Sequence, residues 1–250
     1  MKKILAVAAL AFIFALSSAF PAQAGKIVVT NDEWTLSNSG FFAPNDPGLF
    51  AQNVADWFTG GGTGNFLAYS TNFGLTGSSL AAAMTGAGHT WTVSTGYSQS
   101  LATLQGYDAV FLAGNAFDNS VLIDYVNGGG NVFLEGGTGI GGAAAEAAQW
   151  KAFLNAFGLE YGNSYNGVQG DIFISNSHPI FAGVDHLYQN NGNDALDISA
   201  SDPRAQVLVT LNGHGLYAVY ESVSVPEPGT LLLLGGALIG LFGLRRKISA

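Results

Sequence analysis

Between residues 26 and 157 the chain repeats one pattern: a short run of β-branched and aromatic residues, a glycine-bearing turn, then an amphipathic stretch of helical period. The strand-like runs are 26–30 (KIVVT), 66–69, 90–93, 107–112 and 131–134. Continuous apolar runs of this length suit strands buried on both faces. Between them, 48–58 carries Phe50, Val54, Trp57 and Phe58 on one helical face, and 78–87 carries Leu80, Ala83, Met84 and Ala87. The stretch 121–126 is a short helix, and 143–157 has Trp150, Phe153, Leu154 and Phe157 as its apolar stripe. Strands alternating with helices imply a mostly parallel sheet covered on both sides, a three-layer α/β sandwich. Past Gly162 the pattern changes. Residues 172–175 read as a strand, and 207–211 and 216–220 flank Asn212-Gly213, an antiparallel hairpin at the sheet edge.

Both ends differ from this middle. Lys2 and Lys3 precede the uncharged apolar run 4–16, and Ala22-Gln23-Ala24 supplies small residues for cleavage. Residues 1–24 therefore read as a signal peptide, served by the Sec translocon and signal peptidase, with the exported body at 25–222. In 223–250, Pro226 and Pro228 hold Glu227 in an extended strip, and 231–244 is free of charge. As a helix that run spans ~21 Å at ~1.5 Å per residue, short of a ~30 Å hydrocarbon core. Arg245, Arg246 and Lys247 reach the headgroups beyond it, which predicts a C-terminal hydrophobic helix held in the inner membrane with its basic end in the cytoplasm.

Charge narrows the partners. Residues 25–225 hold three cations, Lys26, Lys151 and Arg204, against sixteen acids, a net charge of −13. Such a surface repels nucleic acid, whose binding needs a basic footprint. The chain has no cysteine, which excludes disulfides, thiolate metal sites and a cysteine nucleophile.

The tail, with its Pro-Glu-Pro, apolar run and basic cluster in order, resembles the PEP-CTERM sorting signal of Gram-negative bacteria. The resemblance implies that Pro226, Glu227, Pro228, Arg245, Arg246 and Lys247 are read by an exosortase. It also implies processing near 226–228 and delivery to the cell surface or an exopolysaccharide matrix. The middle resembles the class I glutamine-amidotransferase-like superfamily through 107–112, the glycine triplet 128–130 before a strand, and Ser177-His178-Pro179-Ile180-Phe181-Ala182-Gly183-Val184. That resemblance implies a flavodoxin-like sandwich. Enzymes of the superfamily carry a Gly-x-Cys-x-Gly elbow and a His-x-Glu pair. The corresponding loop here is Gly137-Thr138-Gly139, and Pro179-Ile180 follows His178, so the family's catalytic apparatus is missing and its activity does not carry over.

Several groups remain to be weighed. The glycine-rich loop 136–142 lies between a strand and a helix, where N–H groups cradle anions, or where glycines simply turn tightly for packing. Glu135 falls at a strand's carboxyl end, where open α/β sheets bind ligands. With Asp32, Glu33, Gly137 and Gly139 it forms an acidic cleft for a cation or sugar hydroxyls, or else these are solvated loop carboxylates. Thr138, His178 and Glu135 are the candidate trio of an altered hydrolase. His89, His178, His186 and His214 lack ligand spacing, and 190–197 (NNGNDALD) reads as oxygen ligands for Ca²⁺ or as turn chemistry. No metal and no cofactor are expected. Phe41, Phe42, Trp57 and Trp91 stack on sugars if exposed. The expectation is a non-catalytic exported binding or structural protein; an altered hydrolase and a carbohydrate-binding module are the alternatives.

Overall fold

β1 (Lys26–Thr30) shows why this chain needs two apolar layers. Val28 is buried in one hydrophobic cluster, while Ile27 and Val29 are buried in another. A strand that is apolar on both faces escapes water only inside a sheet covered on both sides. The computed structural model, which describes residues 25–199 and 201–222, has that form. The expected signal peptide, hydrophobic helix and sorting residues lie outside the described residues.

The other strands of the central sheet are β2 (Asn65–Ser70), β3 (Thr90–Val93), β4 (Ala109–Ala113), β5 (Asn131–Glu135), β10 (Ala205–Leu211) and β11 (His214–Glu221). Their order is β10-β11-β1-β5-β4-β2-β3. β1, β5, β4, β2 and β3 run parallel, β11 runs antiparallel to β1, and β10 antiparallel to β11. β1 and β5 are thus both internal, and the hairpin closes one edge. Its turn residues Asn212 (φ 52°) and Gly213 (φ 85°) are both left-handed, as a two-residue hairpin turn requires.

One correction concerns strand order. The parallel strands read 3-2-4-5-1 across the sheet, whereas the flavodoxin arrangement is 2-1-3-4-5. The two coincide only if β1 takes the place of the last strand, which makes the order a circular permutation.

Helices cover each face. α1 (Pro47–Thr59), α2 (Phe73–Thr76) and α3 (Ser78–Gly86) pack Phe50, Val54, Phe58, Leu75, Leu80 and Met84 on one side. α4 (Leu101–Leu104), α5 (Asn119–Asn127) and α6 (Ala143–Asn155) bury Leu104, Leu122, Tyr125, Trp150, Phe153 and Leu154 on the other. Pro47 opens α1 and left-handed Gly60 (φ 71°) closes it. The helices α2 and α4, four residues each, have no readable period. They start because the Asn72 and Ser100 side chains accept from Gly74 N and Thr103 N.

The part after α6 departs furthest from expectation. β6 (Leu159–Tyr165) pairs with β9 (Asn193–Asp197), and β7 (Gln169–Phe173) with β8 (His186–Asn190), in two small antiparallel sheets. β6 and β9 are too polar to read as strands, yet Leu159, Tyr161 and Ala195 pack on the main sheet and hold them there. The strand expected at 172–175 lies instead at Gln169–Phe173, and the bond from Ile174 N to Asp185 O continues its register with β8 by one more step. The run 190–197 is turn and strand: Asp194 pairs with His214 at 2.9 Å and Asp197 accepts from Ser199 N.

Phe111 ties neighbouring strands together on one face of the sheet, with ring centroids 4.8 Å from Phe133, 4.9 Å from Trp91 and 5.7 Å from Phe66. Phe111→Ala is expected to cost ~3–5 kcal/mol in chemical denaturation, the range for a fully buried phenylalanine.

Candidate functional site

The helix after β1 covers one face and the helix after β5 covers the other, so the chain leaves these neighbouring strands in opposite directions. The carboxyl ends of such a strand pair are where open α/β sheets hold ligands, and here the carboxylates at that place are buried. Asp32 and Glu33 follow β1, and Glu135 ends β5 in register with Thr30. The last rung of the sheet runs Tyr217, Thr30, Glu135, Ala113, Ser70, a polar row at the top of a hydrophobic layer.

Four carboxylates gather here, and what answers each differs. Asp32 accepts from Trp34 N (2.8 Å) and from Asn190 N; burial, partly offset by these bonds, raises its pKa to about 6. Glu146, in the first turn of α6, accepts from Thr138 Oγ1 and, at 3.3 Å, from Thr138 N; burial raises it too. Glu33 accepts only from Asn72 Nδ2, and burial lifts its pKa to about 7. Glu135 is fully buried with neither oxygen partnered, and burial, then the charges of Glu33 and Asp32, push it well above the carboxylate range. Beside it Thr30 Oγ1 and both amide atoms of Asn31 are also buried without partners. Gly74 fits against this group only because it lacks a side chain: a Cβ would lie 2.5 Å from Glu135 Oε2 and 2.6 Å from Glu33 O.

The structure divides the candidate residues. Asp32, Glu33, Glu135 and Gly137 stand at one crevice, where left-handed Gly137 (φ 68°) lies close over Asn31 O and Gly192. Gly139 is exposed at the loop tip and touches none of them. The loop 136–142 offers no open cradle at Thr138, because Glu146 occupies that N–H from within the fold. The trio Thr138, His178 and Glu135 is not assembled. His178 packs edge-on to Trp57 at 5.1 Å, accepts from Ile180 N, and is influenced by Glu221 and Lys26. Those groups mark the start of β1, whereas Glu135 pairs with its end, ~13 Å away at ~3.3 Å per residue. Burial lowers the His178 pKa. Among the described residues no three acidic or imidazole side chains are placed to hold a metal ion. Of the four aromatics considered for sugars, Phe41, Trp57 and Trp91 pack on the core and only Phe42 is exposed.

Two participants escape a reading of the sequence. Glu146 had a signal, an acid in the first turn of a helix after a glycine loop. Asn72 had none, since its role follows from the loop after β2 reaching Glu33 in the loop after β1, although two strands separate β2 from β1.

Comparison with known proteins adds one finding: residues 224–247 match the PEP-CTERM protein-sorting motif. No curated protein and no solved structure matches the chain. Among the described residues no helix is long and apolar enough to cross a membrane.

Because Asp32, Glu33 and Glu135 hold protons more tightly folded than unfolded, stability falls as pH rises from the ordinary carboxylate values through about 6 to 7 and beyond. The thermal midpoint is expected to be higher near about pH 5 than near about pH 8. Glu135→Gln, neutral at both, is expected to flatten that slope; an unchanged slope would show that Glu135 does not contribute to it.

Proposed function

We propose that this protein is an exported, exosortase-processed component of the cell surface or exopolysaccharide matrix with a binding or structural role. The observation that carries the reading is the PEP-CTERM sorting motif at 224–247, which marks a protein handled by an exosortase. Export suits the body: it has no cysteine to oxidise and an acidic surface that stays soluble at high local concentration. The sorting residues Pro226, Glu227 and Pro228 are the proposed recognition strip, and Arg245, Arg246 and Lys247 the proposed cytoplasmic stop. Residues 1–24 serve as the proposed signal peptide.

The binding role is preferred to an altered hydrolase on one ground. The Thr138 hydroxyl donates to Glu146 while the imidazole of His178 stands at the far end of the strands, so this base and this nucleophile do not face a common substrate atom. The carboxyl-end crevice is then the proposed ligand face, rich in acceptors that suit a hydroxyl-bearing or otherwise hydrogen-bond-donating partner.

Mass spectrometry of the protein recovered from its native cell tests this. The mature form is expected to begin at Gly25 and to lack the residues beyond a cut near 226–228. Glu227→Ala is expected to leave the tail uncut and the protein in the inner membrane. Recovery of intact 1–250 from the cytosol would overturn the reading.

A further inference from the structure

We infer that the hollow between the β1–α1 loop and α2 is a subsite for one pyranose ring of a neutral glycan, stacked on Phe73. The inference rests on the proposed binding role and names its ligand class. Ser37, Asn38, Ser39, Phe73, Thr76 and Gly77 line a cavity of ≈ 300 Å³, at the small end of small-molecule sites, which run ~300–1,000 Å³. The two loops that form it are those that carry Glu33 and Asn72, so it lies on the same carboxyl-end face of the sheet.

The lining selects the ligand by elimination. No lining residue is charged, so neither an anion nor a cation finds a counter-charge in it. Every lining residue except Phe73 is a hydroxyl, an amide or glycine, so a wholly apolar guest would strip water from polar groups and replace none of it. What remains is a molecule with one apolar face and a polar rim. The axial C–H groups of a pyranose meet the electron-rich face of a phenyl ring, and its hydroxyls meet the rim. The body's charge of −13 disfavours uronic-acid polymers, which leaves neutral sugars.

The platform is built rather than incidental. Phe73 is 44% exposed, yet Trp34 holds it edge-on at 5.0 Å and Tyr188 backs Trp34 at 6.3 Å. The backbone N–H of Trp34 donates to Asp32 Oδ1, which ties this loop to the acidic group. The rim is oriented too. Asn38 Oδ1 accepts from Ser79 N at 3.0 Å, leaving Nδ2 available to donate, and Thr76 donates its hydroxyl to Asn72 O, leaving its lone pairs as acceptors. A Cβ on Gly77 would lie 2.8 Å from Asn38 Oδ1, so glycine there permits the close approach that shapes the floor.

The test titrates the full chain, held in a zwitterionic detergent so that no sugar headgroup competes, with cellobiose, lactose and mannobiose, and with digalacturonate as the acidic counterpart. Trp34, beside the platform, reports by fluorescence, and calorimetry gives the affinity. Saturable binding of at least one neutral disaccharide is expected. Phe73→Ala should weaken it by about tenfold or more, the loss expected for a stacking platform. Phe73→Tyr should retain it, which separates loss of the ring from loss of the fold. Digalacturonate should bind more weakly than the neutral sugar. The inference is overturned if none of the three neutral sugars binds, if Phe73→Ala binds as tightly as the parent, or if digalacturonate binds equally well. Failure here with the tail still processed in the cell sinks the sugar subsite alone; an unprocessed tail sinks the exported role instead.

Discussion

β5 is bracketed by two buried polar side chains, and the difference between them governs the molecule. Asn131, at its start, is fully used: Nδ2 donates to Asp108 O at 2.8 Å and Oδ1 accepts from Lys26 N at 3.1 Å. That end of the sheet is sewn shut. Glu135, at the other end, is as deeply buried and has nothing to bond to. A sheet covered on both faces must answer its end groups internally or leave them open to a ligand or a proton. This one does the first at its amino end and the second at its carboxyl end. The crevice, the raised pKa values and the glycine at position 74 all follow from that asymmetry.

The neighbouring carboxylates grade from structure to opening in the same way. Asp32 and Glu146 accept from backbone N–H groups and close loops. Glu33 has one amide partner, and Glu135 none. Tyr161 sits behind them, its hydroxyl shared between Thr30 O at 2.8 Å and Leu134 O at 3.1 Å, so the backbone at the ends of β1 and β5 is rigidly tied. The openness at this end therefore belongs to side chains and not to a loose main chain.

What could be read in the sequence was what periodicity or turn chemistry enforces. The five parallel strands follow from apolar runs that have nowhere to go but a covered sheet, and Asn212-Gly213 admits little besides a tight hairpin. Glu135 was grouped with Asp32 and Glu33 from its position at a strand end, a place that the pairing of β5 with β1 determines. The circular order of the strands could not be read, because β1, β2, β4 and β5 are all buried runs and periodicity does not rank neighbours; only β3, the half-exposed edge strand, differs in burial. His178 was grouped with Thr138 on resemblance of motif alone, and only the register of β1 shows that they lie at opposite ends. Phe73 was missed for a related reason. It stands in a four-residue helix started by Asn72, and no apolar period marks so short an element. Its exposure is a property of the packing of Trp34 against it.

The absence of disulfides and the scarcity of cations decide what kind of stability remains. Among the described residues three ion pairs involve a lysine or arginine, each with at least one partner more than a third exposed. Pairs of that sort contribute ~0–1 kcal/mol each and weaken in salt. Cohesion therefore rests on the two apolar layers, which salt does not screen, while the dominant surface term is repulsion among the acids. Screening relieves that repulsion, and protonation of the crevice carboxylates acts in the same direction. A body held together in this way gains stability from added salt or acidification, conditions that would loosen a fold dependent on surface ion pairs. Such tolerance of salt and acid suits an exported protein.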